Sequence, residues 1–421
     1  MSGIFISYRR EDTSGHAGRL YDRLKHDLED VPIFIDVRDI PSGDDFAVTI
    51  EKTMRQCDVC LVLIGRRWLT AADEYGQRKL DKADDWVRME IGAALARGID
   101  MIPVLVDGAL AMPVDQALPG ELVRLRFMQA RPIRDLTFHQ DVDLLIDEIK
   151  KAIGARNAPP VQTHAPGERY LHPWDGLEYI WIPPGKFMMG RVPQDNVADQ
   201  RYTIEKPRHP VLLTRGFWMS RGPVTVRAYQ LFTKQRNLRM PRAPSNNPNW
   251  DDVDRPIVKV TWGNANEYCA WSDGRLPTEA QWEYAARGGV DGQIYPWGDQ
   301  PRPDLANYTD NPDWGPKGPS PVGLFPPNGF GLVDVVGNVW EWVSDWYDDE
   351  AYKGRSATEP TVDPEVFVNK MNRRVVRGGS WRSIAQEIRL SLRGFQTPEI
   401  DIDDFGFRCL IYKMPDKPRS S

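Results

Sequence analysis

The 421 residues include only four cysteines and six histidines. Four cysteines are too few for a disulfide framework in a chain of this length. With six histidines and no H-x-x-x-H pair, the chain offers no histidine-rich metal centre. No apolar run reaches about 18 residues, so a membrane-spanning helix is excluded. A basic excess is missing too. Lys and Arg number 54 against 60 Asp and Glu, for a net charge of −6. Residues 1–150 hold 20 basic and 27 acidic residues, and residues 151–421 hold 34 and 33. Nucleic acid is therefore not an expected partner, since its binders carry a strong basic surplus. After Met1-Ser2-Gly3-Ile4-Phe5-Ile6-Ser7 the N-terminus turns polar, too soon for a signal-peptide core. A cytoplasmic location is expected, with no membrane partner.

Hydrophobic residues make up 41% of the chain and charged residues 27%, as in a soluble globular protein. At roughly 100–200 residues per domain, two or three domains are expected. Tryptophan marks the division. Trp68 and Trp86 lie before residue 160, and the other 13 of the 15 lie after it. Between the halves, Gly154 to Gly167 is rich in Pro, Gly and small polar residues without apolar periodicity, which reads as a linker. The expected layout is a domain over 1–153, a linker over 154–170, a second domain over 171–415 and a tail over 416–421.

In the first domain, short β-branched runs alternate with helical periodicity. Strands are expected at Ile4–Tyr8, Ile33–Asp36, Val59–Ile64 and Met101–Val106, and helices at Gly18–Leu28, Phe46–Gln56, Asp85–Arg97 and Phe138–Ile153. Such alternation predicts an α/β fold with a parallel, flavodoxin-like sheet covered on both faces. Ligands of such sheets bind beyond the carboxyl ends of the strands, which singles out Tyr8-Arg9-Arg10, Asp36-Val37-Arg38-Asp39, Trp68 and the start of the third helix. Cys57 and Cys60 form a C-x-x-C inside an apolar strand. Alternation sends them to opposite faces, so they read as core residues.

Phe5-Ile6-Ser7-Tyr8-Arg9-Arg10, Phe34-Ile35-Asp36-Val37 with the following Gly43, and Asp85-Trp86-Val87-Arg88-Met89-Glu90-Ile91 resemble a TIR (Toll/interleukin-1 receptor) domain. The likeness is to the NAD-cleaving type. It implies a loop over Arg38–Phe46 that helps pack one TIR domain on the next, and active sites completed by self-association. Trp86 and Glu90 are four residues apart, hence on one face of a helix. When NAD loses neutral nicotinamide, positive charge grows on the ribose, and a carboxylate can stabilise it. An aromatic ring supplies a stacking face. The resemblance implies Glu90 as the catalytic carboxylate, with Trp86 and Phe46 lining the nucleotide site. Tyr8 and Arg9 follow the first strand, and Arg suits phosphate through its permanent, forked charge. The alternative for Glu90 and Trp86 is a solvated helix residue and a packing residue.

The second domain has few helical stretches and dense Gly, Pro, Asn and Trp. Two helical pieces are expected within Ala265–Ala286, the second opened by a Thr278/Gln281 capping box. The rest reads as long loops around a small sheet, pinned by buried Trp, metal or ligand. Several segments resemble the formylglycine-generating enzyme family, whose α+β fold is a variant of the C-type lectin fold. They are Ile182 to Gly190, Gly274-Arg275-Leu276-Pro277-Thr278-Glu279 on to Gly288, Tyr295-Pro296-Trp297-Gly298, Asn328-Gly329-Phe330-Gly331-Leu332, Gly337-Asn338-Val339-Trp340-Glu341-Trp342, Arg377-Gly378-Gly379-Ser380-Trp381 and Gly406-Phe407-Arg408. The family's two oxygen-activating cysteines fall on Ser383 and Ile388, so oxidase chemistry is not expected. Cys269 and Cys409 read as packing residues. The resemblance implies structural Ca²⁺ at Asn338 and Glu341, and a second site at Asn307 and Asp313 with imperfect spacing. Hard oxygen ligands on loops suit that ion. A ligand-binding surface is expected over Trp381, Arg382, Gln386, Arg393, Phe395 and Gln396, in the window where related scaffolds carry the variation of diversity-generating retroelements.

The pair implies an NAD-cleaving effector controlled by a catalytically inactive, lectin-like ligand-binding domain, in bacterial defence or stress signalling. The alternatives are a non-catalytic TIR adaptor and a variable binding protein of a retroelement.

Overall fold

A computed structural model describes residues 3–35, 46–109, 118–157, 164–196, 200–315, 317–366 and 369–415. The chain divides into two compact units, Met1–Thr163 and His164–Ser421.

In the first unit the order is β1 (Gly3–Ser7), α1 (Arg10–Asp27), β2 (Ile33–Ile35), α2 (Phe46–Met54), β3 (Cys57–Ile64), α3 (Trp86–Ala96), β4 (Asp100–Leu105), β5 (Arg131–Pro132) and α4 (Phe138–Asn157). The sheet runs β2-β1-β3-β4-β5 with every pairing parallel. This is the flavodoxin order that the alternation predicts. Ile4 and Ile6 of β1 join Val59, Leu61 and Leu63 of β3 in a core with Leu20 and Leu24 of α1 and Val142, Leu145 and Ile149 of α4. Because strand side chains alternate, Phe5 and Ser7 face the other way, where α3 packs. Cys57 and Cys60 are both buried, as expected for core residues, and burial raises both thiols, Cys57 to about 12.

The second unit holds β6 (Arg169–Leu171), β7 (Glu178–Ile182), β8 (Gly185–Met189), β9 (His209–Leu213), β10 (Phe217–Ser220), α5 (Val226–Arg236), α6 (Trp262–Trp271), α7 (Glu279–Arg287), β11 (Trp340–Trp346), β12 (Thr361–Val362), β13 (Arg374–Arg377), β14 (Gly394–Gln396), β15 (Phe405–Phe407) and β16 (Leu410–Ile411). Three small sheets run β16-β10-β7-β6, β14-β13-β11-β15 and β12-β9-β8. The capping box forms: Thr278 Oγ1 accepts from Gln281 N at 3.0 Å and Gln281 Oε1 from Thr278 N at 2.9 Å. Trp282, Tyr284 and Ala285 of α7 enter a core with Ile180, Phe217, Val343, Val375 and Leu410, so α7 lies at the junction of the sheets. Two boundaries differ from expectation. α4 continues to Asn157, and β6, whose Arg169 and Tyr170 fall in the expected linker, pairs antiparallel with β7.

Candidate functional site

The carboxyl end of β1 grips the start of α3 at two points. Ser7 Oγ donates to Glu90 Oε2 at 2.7 Å, and both residues are buried. Two residues along the same face, Arg9 forks onto Asp85, with Nη1 to Oδ2 and Nη2 to Oδ1 both at 3.0 Å. Asp85 is also the N-cap of α3, where its Oδ1 accepts from Arg88 N at 3.0 Å. A carboxylate here complements the positive end of the helix. Trp86 opens the first turn half-buried, four residues before Glu90. The outcome is one carboxylate of fixed orientation beside an aromatic ring, beyond the strand ends where ligands of this sheet type bind.

The other residues expected at the nucleotide site are placed differently. Arg9 is only 3% exposed and committed to Asp85, so it organises the helix start rather than presenting itself to phosphate. Tyr8 packs against the core shared with α1 and α4, because alternation puts it on the face opposite Ser7 and Arg9. Trp68 is wholly buried. The Phe46 side chain, and residues 36–45 with Asp36, Arg38 and Gly43, lie outside the described residues.

In the second unit, acids and arginines meet in the interior. Arg393 forks onto Glu279 at 2.8 and 3.0 Å, Arg377 reaches Glu279 at 3.1 Å and Glu283 at 2.6 Å, and Arg389 bonds Glu205 at 2.7 Å. Arg408 forks onto both oxygens of Glu341 at 2.6 Å, and Trp282 Nε1 adds a third bond to Oε2 at 2.7 Å. The Asn338 amide exchanges hydrogen bonds with the Ser320 backbone at 3.0 and 3.3 Å. Glu341 and Asn338 therefore do not fit a calcium site, because a guanidinium already occupies the carboxylate and would repel a dication.

Asn307 fits better. It is fully buried, its Oδ1 has no hydrogen-bond partner among the described residues, and its Nδ2 donates to Gly318 O at 3.0 Å. Nearby in sequence, the carbonyls of Tyr308, Thr309 and Asn311 gather so closely around Gly315 that an added Cβ would lie 2.3, 2.7 and 2.9 Å from them. Asp313 is exposed on the same loop.

The window expected to bind ligand splits. Arg382, Gln386 and Phe395 are exposed, and Gln396 is half-buried. Trp381 is 9% exposed and lies under the Arg382 guanidinium, 4.4 Å from its ring centroid. Arg393 is a correction: it is 3% exposed and belongs to the interior pairs. A recess of about 290 Å³, counting the solvent at its mouth, is lined by Glu279, Asp345, Glu365, His209, Tyr352 and Arg355, none of them from that window. Ser383 is buried with its Oγ accepting from Ser380 N at 3.1 Å, and Ile388 is core, so no thiol stands at either position. Cys269 and Cys409, remote in sequence, are both buried, Cys409 Sγ pairs with Ser272 Oγ at 3.3 Å, and burial raises the Cys269 thiol.

With this geometry in place, comparison with known proteins assigns both units. Residues 172–413 match the sulfatase-modifying factor enzyme 1-like domain, more than half of the chain, and residues 4–145 match the TIR domain. The chain belongs to the sulfatase-modifying factor enzyme 1-like family and carries a TIR domain before that module. It is 35% identical over 205 residues to the formylglycine-generating enzyme of Bos taurus, covering 46% of this chain and 53% of the relative. It is 39% identical over 172 residues to the inactive C-alpha-formylglycine-generating enzyme 2 of the same organism, covering 38% and 51%. The chain thus spans about half the length of the curated relatives it matches. Among solved structures, PvdO from Pseudomonas aeruginosa superposes with a TM-score of 0.51 at 27% identity, covering 59% of this chain and 99% of PvdO.

Sequence reasoning missed Ser7 and Asp85 as parts of the site. The signal was available: Ser7 lies on the first strand two residues before Arg9, and Asp85 stands where an N-cap belongs. It also missed Arg408, which sits in the quoted Gly406-Phe407-Arg408 segment but finds Glu341 only through the pairing of β11 with β15.

Proposed function

We propose that the TIR domain cleaves NAD to nicotinamide and ADP-ribose, under control of a sulfatase-modifying-factor-like domain that binds a ligand and performs no oxidation itself. The observation that carries this reading is the Glu90 carboxylate, fixed by Ser7 beside Trp86 at the carboxyl end of the sheet. The bond between ribose C1′ and the nicotinamide nitrogen breaks, and its electron pair leaves with neutral nicotinamide. Water then bonds to C1′ and releases a proton. Glu90 stabilises the positive charge that grows on the ribose, and Trp86 covers one side of it. Ligand capture by the second unit clusters chains, and TIR self-association completes the site. The reading sets the protein in the cytoplasm, in defence or stress signalling. Absence of thiols at Ser383 and Ile388, with an inactive relative at 39% identity, supports a non-oxidising second unit. Structural calcium belongs at Asn307, with the neighbouring carbonyls and Asp313, where it would pin the loop.

The test is to incubate the full-length protein with NAD over a range of concentrations and measure nicotinamide release. Wild type should release it increasingly as chains associate. Glu90→Gln should lower turnover by at least about 10²–10³-fold, the range for losing a charge-stabilising group. Equal activity in both would remove Glu90 from the chemistry. Inactivity of wild type at every concentration and under enforced clustering would favour a non-catalytic adaptor.

A further inference from the structure

We propose that the acid-lined recess of the second unit is a binding site for a small primary amine in its ammonium form. The inference rests on the reading of this unit as a ligand-binding domain and gives the ligand its chemistry. Glu279 opens α7, Asp345 is next to last on β11, His209 opens β9, and Tyr352, Arg355 and Glu365 lie on the chain between β11 and β13. Three carboxylates and one arginine thus line the recess. Two of the carboxylates are neutralised from behind. Glu365 holds Arg275 Nη2 on both oxygens at 2.9 Å, and Glu279 holds Arg393 at 2.8 Å and Arg377 at 3.1 Å. The donors on Asp345 among the described residues are neutral: the Glu279 and Val366 N–H groups at 2.7 and 2.9 Å and the Ser344 hydroxyl at 3.5 Å. Arg275, whose charge reaches Asp345, is bonded to Glu365 and Ser344, and Arg355 Nε donates to Ala351 O at 3.0 Å. Burial, with Glu365 and Glu279 beside it, pushes Asp345 up to about 8, and a bound cation acts in the opposite direction.

A second, independent observation points to a ligand. Tyr352 is 4% exposed, and its hydroxyl has no hydrogen-bond partner among the described residues, although buried polar groups ordinarily have one. Its ring is fixed, with the Arg393 guanidinium over it at 4.3 Å and the His209 ring edge-on at 4.7 Å. Burial raises the phenol and the Glu279 charge adds to that, so the hydroxyl stays protonated beside a carboxylate of the recess. What the recess holds out is mostly acceptors. His209 Nδ1 donates to Pro207 O at 2.9 Å, so in the neutral ring, which burial favours, Nε2 carries a lone pair. The Tyr352 oxygen and the Asp345 carboxylate accept as well. An ammonium brings three N–H donors and the positive charge that Asp345 does not receive from an arginine. An anion would instead face three carboxylates. Met189, Ala351 and Val366 give the carbons next to the nitrogen an apolar wall. At about 290 Å³ with its open mouth, the recess is smaller than most drug-sized sites and suits a ligand of few atoms.

The experiment titrates the full-length protein with n-butylammonium, n-butanol and n-butyrate by calorimetry, at neutral pH and constant ionic strength. n-Butylammonium should bind in the millimolar range, as suits so few atoms. The alcohol and the carboxylate should bind at least about tenfold more weakly, since one lacks the charge and the other has the wrong sign. Asp345→Asn should weaken n-butylammonium by at least about tenfold and Tyr352→Phe by about threefold or more, each variant checked for an unchanged circular dichroism spectrum. If Asp345→Asn does not fold, Tyr352→Phe and the three probes decide. No binding of the amine to wild type, n-butanol binding as tightly as n-butylammonium, or wild-type affinity in the folded variants would overturn the proposal. Nicotinamide release from NAD is followed in the same samples. Binding at the recess with release unchanged or undetected would uphold the site and overturn control of the TIR domain through it. Release that responds to n-butylammonium equally in wild type and both variants would overturn the site and keep the reading of the second unit, so the two failures are told apart.

Discussion

Glu90 in the TIR domain and Glu341 in the second unit are both buried, at 5% and 1% exposure, yet their partners differ in kind. Ser7 Oγ, a neutral hydroxyl, donates to Glu90 Oε2, a bond that orients the carboxylate without bringing a charge of its own. Glu341 receives two bonds from the Arg408 guanidinium and one from the Trp282 indole, which orient it and cancel its charge. Glu279, Glu283 and Glu205 resemble Glu341, since each meets an arginine. A carboxylate neutralised by a fixed cation is a structural tie. A bond from a hydroxyl aims a carboxylate without adding an opposite charge. The buried charge of the second unit thus holds long loops together around the three short sheets of its described residues.

The largest expected effect tests that structural role. Glu341→Ala would leave the Arg408 guanidinium buried with backbone carbonyls alone among its described partners, those of Val333 and Asp334 at 3.2 Å and of Arg221 at 3.5 Å. Breaking a buried pair by removing one partner costs about 3–5 kcal/mol. Urea denaturation of the full chain, followed by tryptophan fluorescence, should show this loss in the transition of the second unit, which holds 13 of the 15 tryptophans. A change below about 1 kcal/mol would mean that Glu341 and Arg408 are solvated in solution, and the contrast with Glu90 would fail.

How much of this was legible in the sequence follows the same line. Local signals carried through: β-branched alternation gave the parallel sheet, and Thr278 with Gln281 gave the start of α7. One local signal was overlooked. Thr225 caps α5 by accepting from Ala228 N at 3.3 Å, and Asn237 closes it at φ 53°. Pairings between distant residues were out of reach. Arg9 has the chemistry of a phosphate ligand until the fold brings Asp85 to it. Arg393 sits in a stretch that reads as a surface window until β14 packs beside β13 and turns it inward to Glu279. An arginine's role is set by which carboxylate it meets, and a single sequence does not record that meeting.

A smaller effect concerns calcium and sharpens the comparison within the second unit. If Asn307 Oδ1 is a ligand and Glu341 is not, chelator should lower the melting temperature of the second unit and leave that of the first nearly unchanged. Anything that binds only the folded state stabilises it by about 2.7 kcal/mol at a hundredfold excess over its dissociation constant. Asn307→Ala should abolish the chelator response, whereas Glu341→Ala should keep it on a lower baseline. A response that vanishes in Glu341→Ala instead would return the ion to the Asn338 turn. Metal analysis of the starting protein fixes whether calcium is bound at all.

The smallest effect singles out Asp345, the recess carboxylate that meets acids where its neighbours meet arginines. Its Oδ2 accepts from Glu279 N at 2.7 Å and its Oδ1 from Val366 N at 2.9 Å. Burial, with the Glu365 and Glu279 carboxylates beside it, pushes it up to about 8. In the unfolded chain it returns to the ordinary aspartate range near 4. Between those values the folded state holds a proton that the unfolded state has released, so stability falls as pH rises, by up to about 1.4 kcal/mol per unit. The contribution is complete below the unfolded value and lost once pH passes the folded one. Asp334, pushed up to about 6 by burial, adds the same sign over a lower range. His209, pushed down by burial, acts with the opposite sign below its ordinary value. Between about pH 7 and pH 8 the buried thiols, raised in the fold, begin to add the same sign, so Asp345 is read from the difference between wild type and Asp345→Asn. There, urea denaturation should show wild type losing stability with rising pH and Asp345→Asn losing much less. Parallel slopes would mean that Asp345 is already ionised at neutral pH, held so by its two backbone N–H bonds, and that a carboxylate buried in this unit can keep its charge without an arginine.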